Sequence, residues 1–342
     1  LGVVYKRQVF ETMTMSLNLS NIKAAEKRLL GVVVKTPLMT NHYLNNRLNA
    51  KIYFKLENCQ HIGAFKFRGA YNRLVQLNGD KKKHGVVAFS SGNHAQGIAL
   101  AANILDLQAT IVMPADAPKL KLDGTLRLGA KVVEYDRNRE SREEIAENIA
   151  HETGATLVPA FEDFDVMAGQ GTAGLEIVEQ LESRNENLDI FVSPCGGGGL
   201  LAGTSTAIKG CLPSVIIYGV EQEQYDDHAR SKLASRRIKI PGNTPTMCDA
   251  LMATTPGELT WSVNQKTVDD FLVVSEDSVA FAVAFAFRHL KQVIEPGGAV
   301  GLAALLDKSI NISGKTVAVI LSGGNIDDET FNYCQSKYPD PE

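Results

Sequence analysis

Apolar residues follow two patterns along the chain: short runs rich in β-branched residues, and longer stretches with helical spacing. The short runs predict strands over 50–57, 85–91, 109–114, 130–136, 189–194, 214–221 and 315–324. The longer stretches predict helices over 93–105, 119–129, 139–154, 168–182, 199–210, 276–294 and 297–307. Because strands and helices alternate, we expect an α/β fold of βαβ units, with helices on both faces of parallel-rich twisted sheets.

Composition narrows the class of protein. A chain of 342 residues indicates one large or two medium domains. The net charge of −4 argues against nucleic-acid binding, and no apolar run approaches the roughly 18 residues that span a membrane. The five cysteines form no CxxC pair, which argues against a disulfide framework or a zinc site and favours a reducing compartment, the cytoplasm.

We interpret residues 1–14 as a disordered or non-native extension, because they lack the apolar core of a signal peptide.

Lys66 stands between two phenylalanines, Phe65 and Phe67, just before a helical pattern. Burial among apolar side chains lowers the pKa of a lysine and makes its neutral amine available as a nucleophile. The alternative is a lysine whose stem packs on apolar side chains while its ammonium reaches water.

Two loops follow predicted strands, at the place where parallel α/β sheets bind ligands. One holds Ser90, Ser91 and Asn93 at the start of a helix, where unpaired amides favour a carboxylate, although serine and asparagine also cap helices. The other opens a helix with four consecutive glycines, which let the backbone approach a phosphate closely. These glycines are Gly196, Gly197, Gly198 and Gly199.

A dinucleotide-binding fingerprint overlaps the glycine loop. Gly197, Gly199 and Ala202 have its spacing, and Glu221 stands where an acid would bind a ribose. A nicotinamide-dependent dehydrogenase is therefore an alternative function. It leaves Lys66 and the serine loop without a role.

A third loop places Ser322 after the last apolar strand, at the same edge of the predicted sheet, although a simple turn would look alike. A lysine among apolar residues, a phosphate-binding loop and a hydroxyl at a strand end together predict a pyridoxal 5'-phosphate site.

Six motifs in one order resemble the fold type II pyridoxal phosphate enzymes, which share the tryptophan synthase β fold, and among them the threonine/serine dehydratase and serine racemase group. The motifs are GAFKFRGA, SSGNHAQG, AGQGT, GGGGLLAG, IEPGGAVGLAALL and LSGGN. The resemblance implies a large cofactor-binding domain of residues 15–79 and 162–342, and a small mobile domain of residues 80–161. It also implies a homo-oligomer, specifically a homodimer.

The resemblance assigns roles to individual residues. Lys66 would bind the cofactor covalently and move the Cα proton, Phe65 would pack beside the cofactor ring, Asn93 would bond to the ring hydroxyl and Ser322 to the ring nitrogen. The phosphate would be bound by the four glycines and Leu200. The substrate carboxylate would be bound by Ser90, Ser91, Gly92, Asn93 and His94.

The implied activity is that of a dehydratase, or ammonia-lyase, which converts L-threonine, L-serine or 3-hydroxyaspartate to a 2-oxo acid and ammonia. Ser91 resembles the serine that moves a proton on the opposite side of the cofactor in serine racemase. A serine or aspartate racemase with side elimination is therefore the alternative. The stretch 158–171 is more similar to bacterial dehydratases, whereas 248–261 matches neither pattern.

A divalent cation, Mg²⁺ or Ca²⁺, is also implied by the resemblance. Its ligands would be the carboxylates of Glu221 and Asp227 and the backbone carbonyl of Tyr225, oxygen donors that suit either ion. A solvated acidic turn is the alternative interpretation.

Overall fold

The computed structural model describes residues 16–117 and 119–340, which form two sheets flanked by helices. Residues 1–14, interpreted above as an extension, lie outside the described residues. The strands are β1 (Leu38–Thr40), β2 (Lys51–Leu56), β3 (Val86–Phe89), β4 (Ala109–Pro114), β5 (Lys131–Tyr135), β6 (Thr156–Leu157), β7 (Ile190–Pro194), β8 (Ile216–Gln222), β9 (Asp270–Val274) and β10 (Thr316–Leu321). The helices are α1 (Leu19–Leu29), α2 (His42–Leu48), α3 (Lys66–Leu74), α4 (Gly79–His84), α5 (Asn93–Ile104), α6 (Lys119–Arg127), α7 (Arg142–Thr153), α8 (Phe164–Glu182), α9 (Gly199–Cys211), α10 (Asp227–Ala234), α11 (Glu258–Thr267), α12 (Glu276–Phe285), α13 (Pro296–Leu306) and α14 (Asp328–Lys337).

The larger sheet has the order β1-β2-β10-β7-β8-β9, and all of its pairs except β1–β2 are parallel. Strand β10 lies in the middle, with Val319 opposite Phe54 on one side and Val192 on the other. The strands are almost wholly buried and β-branched, as expected for a parallel sheet covered on both faces. Their carboxyl ends therefore meet along one edge of the sheet.

The smaller sheet has the parallel order β5-β4-β3-β6 and covers residues 86–157. Its helix α5 packs against α3, with apolar contacts that include Phe67, Ala70, Ala95 and Ile98. The position of a Cβ on Gly97 would lie 3.3 Å from the backbone of Lys66, so glycine permits this close approach. The two sheets thus meet at the start of α3.

A group of buried charged residues anchors the other side of α3. Arg68 is fully buried and donates to Glu57 at 2.8 Å through both Nε and Nη2, and to Glu176 at 2.7 Å through Nη1. Lys55 donates to the same Glu176 at 2.5 Å and to the Thr36 carbonyl at 2.7 Å. These four charged side chains, Lys55, Glu57, Arg68 and Glu176, are called the charge network below.

The predicted α/β fold with parallel-rich sheets is confirmed. All seven predicted strands are present, whereas the short strands β1 and β6, and β9, were not expected. No helix in residues 16–117 and 119–340 combines the length and apolarity needed to cross a lipid bilayer.

Candidate active site

A cavity of about 430 Å³ opens at the carboxyl ends of β7 and β10, between the two sheets. Three loops that were predicted to bind ligands contribute to its wall: 89–94, 196–200 and the segment that contains Ser322. Residues 249–255, which were not assigned to the site, also line it. Lys66, at the first position of α3, also lines it. The structure therefore places Lys66, the serine loop, the glycine loop and Ser322 around one cavity.

Lys66 contributes an ammonium group to this cavity. Its Nζ donates to the carbonyl of Ala160 at 3.0 Å and lies 5.2 Å from the centroid of the Phe65 ring, and it forms no ion pair within the described residues. Burial lowers the pKa of Lys66 to about 8, and the nearby carboxylate of Glu295 opposes that shift only in part. The amine is thus close to deprotonation at neutral pH, as a nucleophile or base requires.

Asn93 is fixed by two side chains that come from distant parts of the chain. Its Nδ2 donates to Glu295 Oε1 at 2.7 Å, and its Oδ1 accepts from Asn325 Nδ2 at 2.7 Å. One proton of the Asn93 amide remains available to a ligand in the cavity. Burial, with Asp249 nearby, raises the pKa of Glu295 to about 7.

Two carbonyls of the glycine loop accept hydrogen bonds from side chains of α11. Thr260 donates to the carbonyl of Gly197 at 2.8 Å, and Asn264 donates to the carbonyl of Gly198 at 3.2 Å. Gly198 has φ +88°, a left-handed conformation that glycine adopts without strain. Phe161 packs so closely that a Cβ on Gly197 would lie 2.3 Å from its ring.

The loop amides fit a phosphate group. Within the described residues, no amide of 196–200 donates a hydrogen bond to another group of the chain. Buried amides are nearly always paired in native proteins, so several unpaired donors at the start of α9 indicate an anionic ligand. The four glycines and Leu200 therefore line the cavity with unpaired amides, and the residues present fit pyridoxal phosphate.

The serine loop lies across the cavity from the glycines. Ser90 Oγ accepts from the Gly92 amide at 3.2 Å, which shapes the loop, while the Ser91 hydroxyl makes no hydrogen bond within the described residues. His94 Nε2 lies 3.0 Å from the carbonyl of Val158, and burial lowers the pKa of His94 to about 3. His94 is therefore neutral, and a substrate carboxylate would have to rely on the amides and hydroxyls of this loop.

Ser322 and Phe65 complete the lining that was predicted for the cofactor. Ser322 is buried directly after β10, and its carbonyl accepts from the Phe65 amide at 3.1 Å. No group within the described residues bonds to the Ser322 hydroxyl, so it can serve a ligand. A neutral hydroxyl there would suit a ring nitrogen that carries no full positive charge.

Sequence analysis missed two cations and two acids in this cavity. Arg142, which begins α7, lies with its guanidinium 5.4 Å from the Phe89 ring, and its terminal Nη groups have no partner within the described residues. Lys121 pairs with Asp249 across the cavity. Glu295 precedes Pro296 at the start of α13, a combination typical of a helix start that could have drawn attention to it.

The predicted cation ligands Glu221 and Asp227 are also brought together, although outside this cavity. Both are buried at the carboxyl end of β8 and the start of α10, and Glu221 accepts from the His228 amide at 2.9 Å. His228 Nδ1 lies 3.5 Å from each of the two carboxylates. Because both carboxylates are buried, the alternative interpretation of a solvated acidic turn is wrong. Because the Glu221 carboxylate accepts from an amide at the start of α10, it is not available to bind a ribose.

Comparisons with known proteins give three concordant results. A family model described as pyridoxal-phosphate dependent enzyme matches residues 29–323. The chain is 44% identical over 308 residues to the L-threo-3-hydroxyaspartate ammonia-lyase of Saccharomyces cerevisiae, covering 90% of this chain and 93% of the relative. It is 43% identical over 311 residues to the L-threonine ammonia-lyase of Thermotoga maritima, covering 91% and 76%. The structure of maize serine racemase matches with a TM-score of 0.88 at 35% identity, covering 95% of this chain and 98% of that one.

Proposed function

Because the chain belongs to the family of pyridoxal-phosphate dependent enzymes, we propose that it is an ammonia-lyase whose preferred substrate is L-threo-3-hydroxyaspartate. L-Serine and L-threonine would be poorer substrates. The products would be a 2-oxo acid and ammonia. The family membership removes the dehydrogenase alternative.

The observation that carries the substrate proposal is Arg142. Serine and threonine have one carboxylate, which the amides of the serine loop would bind. A 3-hydroxyaspartate has a second carboxylate, and the unpaired Nη groups of Arg142 at the cavity wall offer a forked donor for it. The yeast and Pseudomonas relatives named for this substrate, 44% and 43% identical to the chain, support the same assignment.

Each residue has a defined part in the chemistry. Pyridoxal phosphate, when bound, withdraws electrons from the Cα of an amino acid and so makes its proton acidic. The loop amides would hold the phosphate, Asn93 the ring hydroxyl and Ser322 the ring nitrogen. Lys66, whose pKa is about 8, would take the Cα proton at Nζ. Loss of the β-hydroxyl then needs only a proton donor on the leaving side, and the fixed Asn93 keeps the reactants aligned.

A substrate panel tests the proposal. We expect 2-oxo acid formation to be fastest with L-threo-3-hydroxyaspartate, followed by L-serine and L-threonine. Arg142→Gln should raise the KM for hydroxyaspartate by roughly 10- to 100-fold, as expected for one lost charge-assisted contact, and leave that for L-serine almost unchanged. Arg139→Gln is the matched control, because Arg139 lies close in sequence with a side chain that is 84% exposed. Equal KM changes for both substrates would contradict the proposal.

A racemase is the second candidate function, and Ser91 favours it. Racemisation needs proton transfer on both faces of Cα, and Lys66 can serve only one. The Ser91 hydroxyl, unbonded at the cavity wall, could serve the other. Ser91→Ala should then abolish interconversion of enantiomers, a loss of roughly 10²- to 10⁴-fold, and keep most elimination from the L-substrate. Loss of L-elimination as complete as in a Lys66 variant would contradict this division of roles.

The divalent cation proposed from the resemblance would use Glu221, Asp227 and the Tyr225 carbonyl. Support comes from burial of both carboxylates, since two adjacent buried charges need a cation. The Tyr225 carbonyl accepts no backbone hydrogen bond within the described residues. Chelation should lower thermal stability, and Mg²⁺ or Ca²⁺ should restore it. The same response in Asp227→Asn as in the unmodified chain would remove this site.

Further proposals concern the whole molecule. We propose that residues 80–161 move as a small domain, since the cavity lies between the two sheets, and that the enzyme is a cytoplasmic homodimer. All five cysteines are free thiols, which suits a reducing compartment. Small-angle scattering with and without substrate would measure closure, and light scattering would measure the oligomeric state.

A further inference from the structure

The short segment 160–162 connects the smaller sheet to helix α8 and contacts three other parts of the molecule. The carbonyl of Ala160 accepts from Lys66 Nζ at 3.0 Å. The Phe161 ring packs closely against Gly197 of the glycine loop. Glu162, which sequence analysis did not assign to the site, binds the start of helix α11. The segment therefore lies between the lysine, the glycine loop and this helix.

Helix α11 begins without a capping side chain of its own. Its N-cap residue is Gly257, which has no side chain to bind the first amides. The Glu162 carboxylate accepts instead from the amide of Leu259 at 3.1 Å and from that of Thr260 at 3.2 Å. The first amides of a helix have no partner within it, and a negative charge at this end is favourable. Glu162 thus supplies the cap from a distant part of the chain.

The glycine at the start of α11 makes room for this carboxylate. A Cβ on Gly257 would collide with Glu162 Oε1. The backbone of Gly257 has φ −61°, a value that any residue adopts, so the position needs space and not conformational freedom. Serine, threonine or aspartate at this position would cap the helix locally but would displace Glu162. The start of α11 is therefore adapted to receive the acid.

Two side chains on one face of α11 bind the glycine loop. Thr260 Oγ1 donates to the Gly197 carbonyl at 2.8 Å, and Asn264 Nδ2 donates to the Gly198 carbonyl at 3.2 Å. Thr260 and Asn264 are four residues apart, which places them on the same side of the helix, and both are fully buried. Because a peptide unit is planar, a bond to one carbonyl also fixes the direction of the next residue's amide. Helix α11 thereby fixes the amides of Gly198 and Gly199.

We infer that Glu162 is a positioning residue for binding of the cofactor phosphate. It fixes the start of α11, and α11 orients two of the unpaired amides of the glycine loop. Thr260 connects the two ends, because its amide donates to Glu162 and its hydroxyl donates to Gly197. Glu162 does not line the cavity that the described residues form, so it acts through the helix. The inference concerns the cofactor and is independent of the substrate.

Two glutamine variants separate positioning from charge. Glu162→Gln replaces one acceptor with a donor that faces a helix amide. Glu258→Gln removes an equal charge from the first residue of α11, where the side chain is 79% exposed. The cofactor-free chains would be titrated with pyridoxal phosphate and with pyridoxal, which lacks the phosphate. We expect Glu162→Gln to weaken binding of pyridoxal phosphate about tenfold more than binding of pyridoxal, and Glu258→Gln to change both little.

The pyridoxal titration distinguishes a positioning role from a general loss of structure. A merely structural role for Glu162 would weaken binding of the two ligands by the same factor. That result would overturn the inference, and so would equal effects of Glu162→Gln and Glu258→Gln on pyridoxal phosphate. No substrate is used, so the outcome is separate from the Arg142 test of the proposed function.

A double-mutant cycle tests the route through Thr260. Thr260→Val removes the hydroxyl that binds Gly197 and keeps the shape of the side chain. We expect about the same tenfold selective loss as in Glu162→Gln, and no further loss in the double variant, because both changes release the same carbonyl. A roughly hundredfold loss in the double variant would show independent effects and overturn the route. Urea denaturation verifies that each variant folds, and the two glutamine variants decide the inference if Thr260→Val does not.

Discussion

Helix α3 separates two regions that treat buried positive charge in opposite ways. In the charge network, Arg68 makes short bonds to Glu57 and Glu176, so each charge has a partner. Two residues earlier, Lys66 faces the cavity with one carbonyl as its only hydrogen-bond partner within the described residues. The pKa of Arg68 is raised because two carboxylates outweigh its burial, whereas the pKa of Lys66 falls to about 8 because burial outweighs the single nearby carboxylate of Glu295.

The difference teaches how to distinguish scaffold from chemistry among buried charges. Lys55 is more deeply buried than Lys66, yet it is held by Glu176 and Gln180. A paired charge stabilises one geometry and reacts poorly. An unpaired one costs stability and is retained where its reactivity is used.

The largest expected effect is on Lys66. Lys66→Met should lower turnover by about 10⁴-fold or more, because the base is lost. It should leave the free energy of unfolding unchanged or raise it, since a desolvated ammonium is replaced by an apolar side chain. Steady-state kinetics and urea denaturation of the cofactor-free chain measure the two effects. A variant that unfolds and loses activity together would break the comparison.

The next effect is on Arg68. Arg68→Met should lower the free energy of unfolding by about 3–5 kcal/mol, because Glu57 is left buried without its partner. The control is Lys35→Met, which removes an exposed ion pair with Glu179 and should cost less than about 1 kcal/mol. Similar losses of unfolding free energy for both variants in urea denaturation would show that burial does not determine how much an ion pair contributes to stability.

A pH effect of intermediate size is expected from Glu295. Its pKa is about 7 in the folded chain and 4.5 when unfolded, so the folded state holds a proton that the unfolded state releases between those values. Stability from this group is present below pH 4.5 and lost as pH rises through 7, by up to about 3 kcal/mol. Glu295→Gln should remove that loss between pH 5 and 8 in the cofactor-free chain. Glu258→Gln, at an exposed side chain, should leave it unchanged.

The smallest expected effect is on the glycine loop. Gly198→Ala should cost about 1–2 kcal/mol from its φ of +88°, with more from contact with His228. Gly314→Ala isolates the backbone part, because Gly314 has φ +72° and open space around it. Denaturation curves measure the loss of stability in both variants. Titration with pyridoxal phosphate should show weaker binding only for Gly198→Ala. Equal cofactor affinity in both would mean that the loop tolerates a Cβ.

Sequence predicted the large elements because their periodicity is long enough to read. Strand β6 has two residues and β1 has three, too few for any period to appear, and β9 carries Asp270 at its start. Three of the cavity loops were predicted because each follows a regular strand, whereas 249–255 follows no strand and was not assigned to the site. Glu295 was not assigned to the site, because its partner Asn93 stands 202 residues away and only the completed sheet brings them together.

The grouping of Cys195, Glu221 and His228 illustrates the same limit. These residues come from different elements, and only the register of β7 beside β8 brings their side chains near one another. Spacing along the sequence carries no information on residues that tertiary structure gathers.

The central position of β10 has a consequence for biosynthesis. Its neighbours β2 and β7 are synthesised long before it, yet they pair with each other only through β10. Until residues 316–321 have been made, β2 and β7 each have one edge without its partner strand β10. Unpaired strand edges are prone to aggregation. The larger sheet and Ser322 are completed only after residues 316–322 have been made, so we expect incomplete chains to expose these strand edges.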